Sequence, residues 1–171
     1  MWEYRGQKRP PFAQAPGAGQ ESVWDYPRPP LLAPDSRRVE VFFGDQLIAD
    51  SRRTFRVLET ASPPTFYLPP EDVDAALLTP APDRSFCEWK GTARYWRLAA
   101  LGHSSEVIGW CYPAPHEAFA SIAGYFSFYP GRVRCLVDAE LVLPQPGGFY
   151  GGWITREIVG PFKGGPGTDH W

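Results

Sequence analysis

Twenty prolines and 17 glycines are spread through the 171 residues. This punctuation limits the fold more than any other feature of the chain. Proline removes a backbone donor and glycine frees the backbone, so both interrupt long regular elements and favour short strands joined by turns. The same chain carries 7 Trp, 8 Tyr and 11 Phe. That much aromatic area must be hidden in a core or a cleft. Short segments around a large aromatic interior predict a β-rich domain rather than a helical bundle.

Residues 1–21 form a loose Pro/Gly-rich arm by composition, without helical or alternating period. Trp24 and Tyr26 open the stretch that is expected to lie on the fold, so residues 22–171 form a single domain. From Val39 the texture changes. "VEVFFGDQLIAD" is two apolar runs split by Gly44-Asp45, a hairpin signal. "TFRVLET" alternates, with Phe55, Val57 and Glu59 on one face. "SFCEWKGTARYWRLA" is expected as the longest strand, paired with "EVIGWCYP". "VRCLVDAELVLP" turns at Asp138-Ala139, and "GGFYGGWITREIVGPF" supplies a last strand.

Two segments have helical character. "PEDVDAALL" begins with Pro70, Glu71 and Asp72, which suit a helix N-terminus. "PHEAFASIAGYF" places Phe119, Ile122, Ala123 and Phe126 at helical spacing. No strand–helix–strand alternation argues for a parallel sheet. The expected class is mainly β, two antiparallel sheets with two short helices.

The charge balance excludes one broad function. Seventeen basic and 19 acidic groups give a formal net charge of −2, which provides no field for a phosphate backbone, so nucleic-acid binding is not expected. No apolar run approaches the roughly 20 residues of a membrane helix. "MWEYRGQKRPPF" has no apolar signal core, so a cytoplasmic, membrane-free location is the default expectation. Cys87, Cys111 and Cys135 are odd in number and unpaired in spacing, which predicts reduced thiols. His103, His116 and His170 are scattered without metal-ligand spacing, so no metal is expected. "GPFKGGPGT" lacks the Gly-Lys-Ser/Thr junction of a phosphate loop. It reads instead as a clamp holding Trp171 to the fold.

The chemistry concentrates around "CEWKGTARYW". In a strand, Glu88 and Lys90 point the same way about 7 Å apart, either into solvent as a loose ion pair or into a polar cleft. Lysine scarcity favours the cleft: the chain has 14 arginines but three lysines, Lys8, Lys90 and Lys163. An ammonium, unlike a guanidinium, changes its pKa readily when desolvated. Trp110 and Tyr112 on the neighbouring strand, and Tyr150 and Trp153 around Gly151-Gly152, form either an aromatic core or an aromatic cage. Glu59, facing inward with Phe55 and Val57, needs a partner such as Lys90, Arg56 or Tyr67.

Several phrases taken together, "ESVWDYPRPP", "RVLET", "PPTFYLP", "CEWKGTARYW", "GGFYGGWIT" and "GPFKGGPGT" with a following Trp, resemble a bacterial and fungal domain-of-unknown-function family that carries an old nucleotidyltransferase label. The resemblance runs nearly end to end and implies the β-tent, or Mss4-like, fold, in which two antiparallel sheets lean together over a cleft. Many proteins of that fold hold zinc with four cysteines. Three cysteines without paired spacing do not supply that set. A nucleotidyltransferase needs carboxylates that hold Mg²⁺ against a triphosphate, and no Asp-x-Asp in a Gly-Ser setting is present. The family brings no catalytic residues to carry over and no cofactor.

The expectation is therefore an uncharacterised small-molecule-binding domain. Its cleft is lined by Glu59, Tyr67, Trp110, Tyr112, Tyr150 and Trp153, with Glu88 and Lys90 as candidate proton-transfer residues, Glu as base and Lys as electrostatic partner. The alternatives are a non-catalytic module that recognises a peptide end or modified side chain through the same cage, or a structural protein.

Overall fold

The turn residues read from the sequence build the back of the molecule. In the computed structural model, which describes residues 1–102 and 104–171, Gly44-Asp45 reverses the chain between Val39–Phe43 and Gln46–Ser51. Asp138 and Ala139 do the same between Arg134–Val137 and Glu140–Leu141, at φ 45° and 65°. Paired positive φ values are what a tight two-residue hairpin demands. Val39–Phe43 then pairs antiparallel with Arg134–Val137, closing a four-stranded back sheet.

The front has two antiparallel sheets. One orders Leu31–Asp35, Thr54–Leu58 and Thr65–Tyr67 side by side. The other runs Phe126–Phe128, Gly109–Cys111, Gly91–Leu98 and Leu78–Cys87. They are joined where Leu68 and Phe126 exchange backbone hydrogen bonds of 2.7 and 2.9 Å. The result is mainly β and antiparallel. Among the described residues, parallel pairing is confined to a two-residue ladder between Glu21–Ser22 and Ile158–Val159 and isolated bridges at Pro130–Val133 and Lys163–Gly165.

Strand alternation divides the front sheets into two faces. Phe66, Leu68, Phe126 and Phe128 turn backward and pack with Val39, Val41 and Ile48 of the back sheet around the fully buried Trp153. Tyr67, Trp110 and Tyr112 turn forward, with Val57, Ala93, Phe119 and Ile122, into a second cluster. Burial of each large apolar side chain is worth about 1.5–3 kcal/mol, so the backward set fixes the sheets. The forward set is left to line whatever the two front sheets enclose.

Two expectations need correction. The stretch expected as one long strand is a hairpin: Leu78–Cys87 and Gly91–Leu98 are separate strands, and Glu88, Trp89 and Lys90 are the turn. The continuous alternation of the sequence hid the reversal. Gly91 at φ +102° is the local cue that permits it. The two helical segments are short 3₁₀ turns, Pro70–Asp72 with Ala75–Leu77, and Glu117–Ile122 kinked at Phe119. Val73 and Phe126 are drawn instead into β-bridges, with Ala49 and Leu68. Sheet pairing outcompetes a nine-residue helix, since helices this short are marginal alone.

Residues before Glu21 carry no strand or helix, and contacts tie them to the domain. Tyr4 and Phe12 meet Trp24 edge-on at 5.6 and 5.3 Å between ring centres. Arg9 donates to Asp25 at 2.7 Å, and Trp171 stacks on Phe12 at 5.1 Å. No helix among the described residues is long and apolar enough to cross a membrane.

Candidate functional site

The forward faces of the two front sheets do not close on each other. Between them lies a cavity of about 480 Å³, within the range of small-molecule sites. Val57, Thr65 and Tyr67 line it from one sheet, with Glu59 just past the end of its Thr54–Leu58 strand, and Ser85, Cys87, Tyr95 and Trp110 line it from the other. Cross-strand register explains the wall: Thr65 stands opposite Val57, and Tyr95 opposite Trp110, so each pair presents neighbouring side chains on one face.

The hairpin turn sets the candidate acid and amine apart. Glu88 is exposed at the rim, whereas Lys90 is 8 % exposed and faces inward. They form no ion pair. The backbone of the turn is held by His116, whose N–H donates to the Lys90 carbonyl at 3.1 Å and whose Nδ1 lies 3.1 Å from the Trp89 carbonyl oxygen. Lys90 Nζ lies 5.6 Å from the centre of the Tyr112 ring and 6.0 Å from that of Phe119. Burial alone lowers the Lys90 pKa, but the adjoining Tyr67, Cys87 and Glu59 act the other way and leave it raised. Burial raises the phenol of Tyr67. Lys90 thus keeps an ammonium's preference where desolvation alone would favour the neutral amine.

The Tyr67 hydroxyl accepts from Trp110 Nε1 at 3.1 Å. Tyr67 meets Trp110 edge-on and Tyr112 obliquely, each at 6.3 Å between ring centres, and Tyr129 tilts against Trp110 at 4.7 Å. Ser85 and Tyr95 hydroxyls share a 2.6 Å hydrogen bond. The loop over 146–152 completes the wall. A Cβ on Gly151 would sit 2.2 Å from the Trp110 ring, so glycine is what lets the loop lie against the indole.

A second polar group occupies the opposite end. Arg28 is buried, and its guanidinium contacts Glu59 at 3.4 Å, the Thr60 carbonyl at 3.1 Å and the Trp171 carbonyl at 3.0 Å. Trp2 covers it at 4.1 Å. Lys163 donates to the Trp171 carbonyl at 3.0 Å and sits 5.6 Å from the Tyr150 ring centre. Burial pulls the Lys163 ammonium down, and the Arg28 charge adds to that. Gln145 locks the end, donating to the Lys163 carbonyl at 2.7 Å and accepting from Gly152 N–H at 3.0 Å.

Of the residues selected from sequence, Glu59, Tyr67, Glu88, Lys90, Trp110, Tyr112 and Tyr150 line this one cavity. Trp153 does not. It is fully buried behind the front sheets, stacked on Phe66 at 4.8 Å, with its Nε1 donating to the Phe128 carbonyl at 2.9 Å. Strand pairing of Trp153–Ile154 with Leu143–Pro144 turns the indole to the core, while Tyr150, in the preceding loop, stays at the mouth. Sequence reasoning missed Trp2, Arg28 and Lys163. Lys163 carried the scarcity signal that singled out Lys90. Trp2, in the arm, and Arg28, just after it, reach the cavity only through tertiary packing, which has no local signature.

All three cysteines are free, and Cys87 lines the cavity. Among the described residues, no three His, Cys, Asp or Glu side chains cluster to hold a metal ion. His103 lies outside the described residues. No curated protein matches the chain. Residues 31–139, more than half of its length and including Glu59, Tyr67, Glu88, Lys90, Trp110 and Tyr112, match the family described as a domain of unknown function, DUF427. The chain belongs to that family.

Proposed function

We propose that this domain binds a small molecule in the cavity between the front sheets. The observation that carries the reading is the cavity itself: a space of about 480 Å³ walled by Tyr67, Trp110 and Tyr112, with the nearly buried Lys90 ammonium facing into it. Aromatic walls supply apolar contact, and a few fixed polar groups orient the ligand. Any proton transfer falls to Glu59 or Glu88 as base, with Lys90 as electrostatic partner.

The test is a fragment library screened by ligand-observed NMR against the wild-type chain and Thr65→Phe, which fills the cavity from a half-buried wall position. Fragments are expected to bind the wild type and to lose at least about tenfold in affinity in the variant, as a steric block of a specific site requires. A screen with no binder sensitive to Thr65→Phe contradicts the reading.

One observation favours a second reading, a module that recognises a group presented on a larger partner. Phe86 and Phe149, 71 % and 72 % exposed, stand at the mouth of the cavity. On that reading a tethered group binds more tightly than the same group free, and Phe149→Ala removes the difference.

A further inference from the structure

The inner corner of the cavity offers donors and no matching anion. Lys90 Nζ has three N–H bonds to donate, and the carboxylate that acts on it, Glu59, is engaged by Arg28. Among the described residues no carboxylate lies within ion-pairing distance of Lys90. The Tyr67 hydroxyl already accepts from Trp110, which leaves its own proton to donate. A nearly buried ammonium is costly unless something negative meets it. The Tyr112 and Phe119 faces offset only part of that cost.

Charge over the whole cavity points the same way. Arg28 and Lys163 both donate to the main-chain oxygen of Trp171, and Arg28 also meets Glu59, so among the described lining residues Lys90 is the cation left without an anionic partner. Two of the three lysines of the chain are therefore in this cavity. The surrounding rings make an apolar aromatic wall, with Tyr129 tilted against Trp110 at 4.7 Å and Tyr67 edge-on to it at 6.3 Å. Such rings favour an aromatic guest, which gains edge-to-face or offset contacts with them.

Resting on the small-molecule reading, we infer that the ligand is a planar organic acid, an aryl or heteroaryl carboxylate. Its carboxylate accepts from Lys90 Nζ and the Tyr67 hydroxyl, and its ring lies against Trp110. The Arg28–Glu59 pair and Lys163 at the far end contact whatever substituent the ring carries toward the mouth.

The full chain is titrated by ligand-observed NMR with three probes that share one ring: 2-naphthoate, 2-naphthamide and 2-naphthylmethylamine. The expected result is 2-naphthoate binding about tenfold or more tighter than the amide, with the amine weakest, since a charge-assisted contact to a desolvated ammonium favours the anion and repels the cation. Lys90→Met, which keeps the aliphatic stem, is expected to bring acid and amide within about twofold of each other. The ranking in the wild type stands as a test even if the variant does not fold. Amide or amine binding as tightly as the acid overturns the inference. So does an acid preference that survives in folded Lys90→Met, and so does failure of all three probes. Each of these leaves the small-molecule reading intact when the fragment screen has found binders lost in Thr65→Phe. A screen without such binders removes that reading independently.

Discussion

Trp153→Ala is expected to lower the unfolding free energy by about 3–5 kcal/mol, the range for removing a large aromatic from a packed core. Trp153 is fully buried, stacks on Phe66 at 4.8 Å and donates from Nε1 to the Phe128 carbonyl at 2.9 Å. Alanine leaves a cavity at the junction of the front and back sheets and an unpaired carbonyl in a buried strand. The orphaned acceptor alone is worth about 1–3 kcal/mol. For a domain of ordinary stability, about 5–15 kcal/mol in total, that is a large fraction. Urea unfolding followed by circular dichroism measures it. Trp153→Phe restores most of the volume and is expected to cost markedly less while leaving fragment affinity unchanged, because the indole faces away from the cavity. A loss under about 1 kcal/mol for the alanine variant contradicts the placement of Trp153 in the core.

Arg28→Met is expected to cost about 3 kcal/mol and to loosen the arm. One buried guanidinium joins five parts of the chain: the ring of Trp2, the carbonyls of Tyr4, Thr60 and Trp171, and the carboxylate of Glu59. Methionine fills much of the volume but donates nothing. The Thr60 and Trp171 carbonyls lose their Arg28 partner, and Glu59 loses its ion pair. Each deficit costs of order 1–3 kcal/mol where water cannot reach it. Glu59 keeps a quarter of its side chain exposed, which limits its share. The specific readout is limited proteolysis. With Trp2 and Tyr4 released, cleavage within the first 20 residues is expected to accelerate, while cleavage in the sheets follows global stability. An unchanged arm and a loss under about 0.5 kcal/mol mean that this hub does not hold the cavity end together.

Local turn chemistry made much of the fold legible in the sequence. Gly44-Asp45 turns as its residue types dictate, and the chain also reverses at Asp138-Ala139 even though Ala139 takes a φ of 65°. The pairing of Gly109–Cys111 with Gly91–Leu98 follows from their succession in the chain. The hairpin at 88–90 was not legible, because Glu-Trp-Lys has no turn signature and apolar residues alternate straight through it. That single reversal separates Glu88 from Lys90, which a continuous strand would have kept on one face. Trp153 and Tyr150, three residues apart, end on opposite sides of the front sheets. Composition cannot assign a tryptophan to core or cleft when both are aromatic.

The scarcity of lysine was the better guide. Where arginine serves as the ordinary surface cation, the sites that keep lysine are those where a compact ammonium suits a confined space. Lys90 and Lys163 both satisfy that description, and Lys8, an exposed partner of Glu3, does not. The contribution of Arg28, and of Trp2 laid over it, depends on Arg28 contacts with residues more than 30 positions away, such as Thr60 and Trp171. No local pattern encodes such contacts.

A crystal of the chain soaked with 6-bromo-2-naphthoate, with the bromine located by anomalous scattering, tests the central claim most directly. The ring is expected between the two front sheets against Trp110, with a carboxylate oxygen about 3 Å from Lys90 Nζ. A space closed by its own side chains, or the acid bound only elsewhere on the molecule while the cavity stays empty, would contradict it.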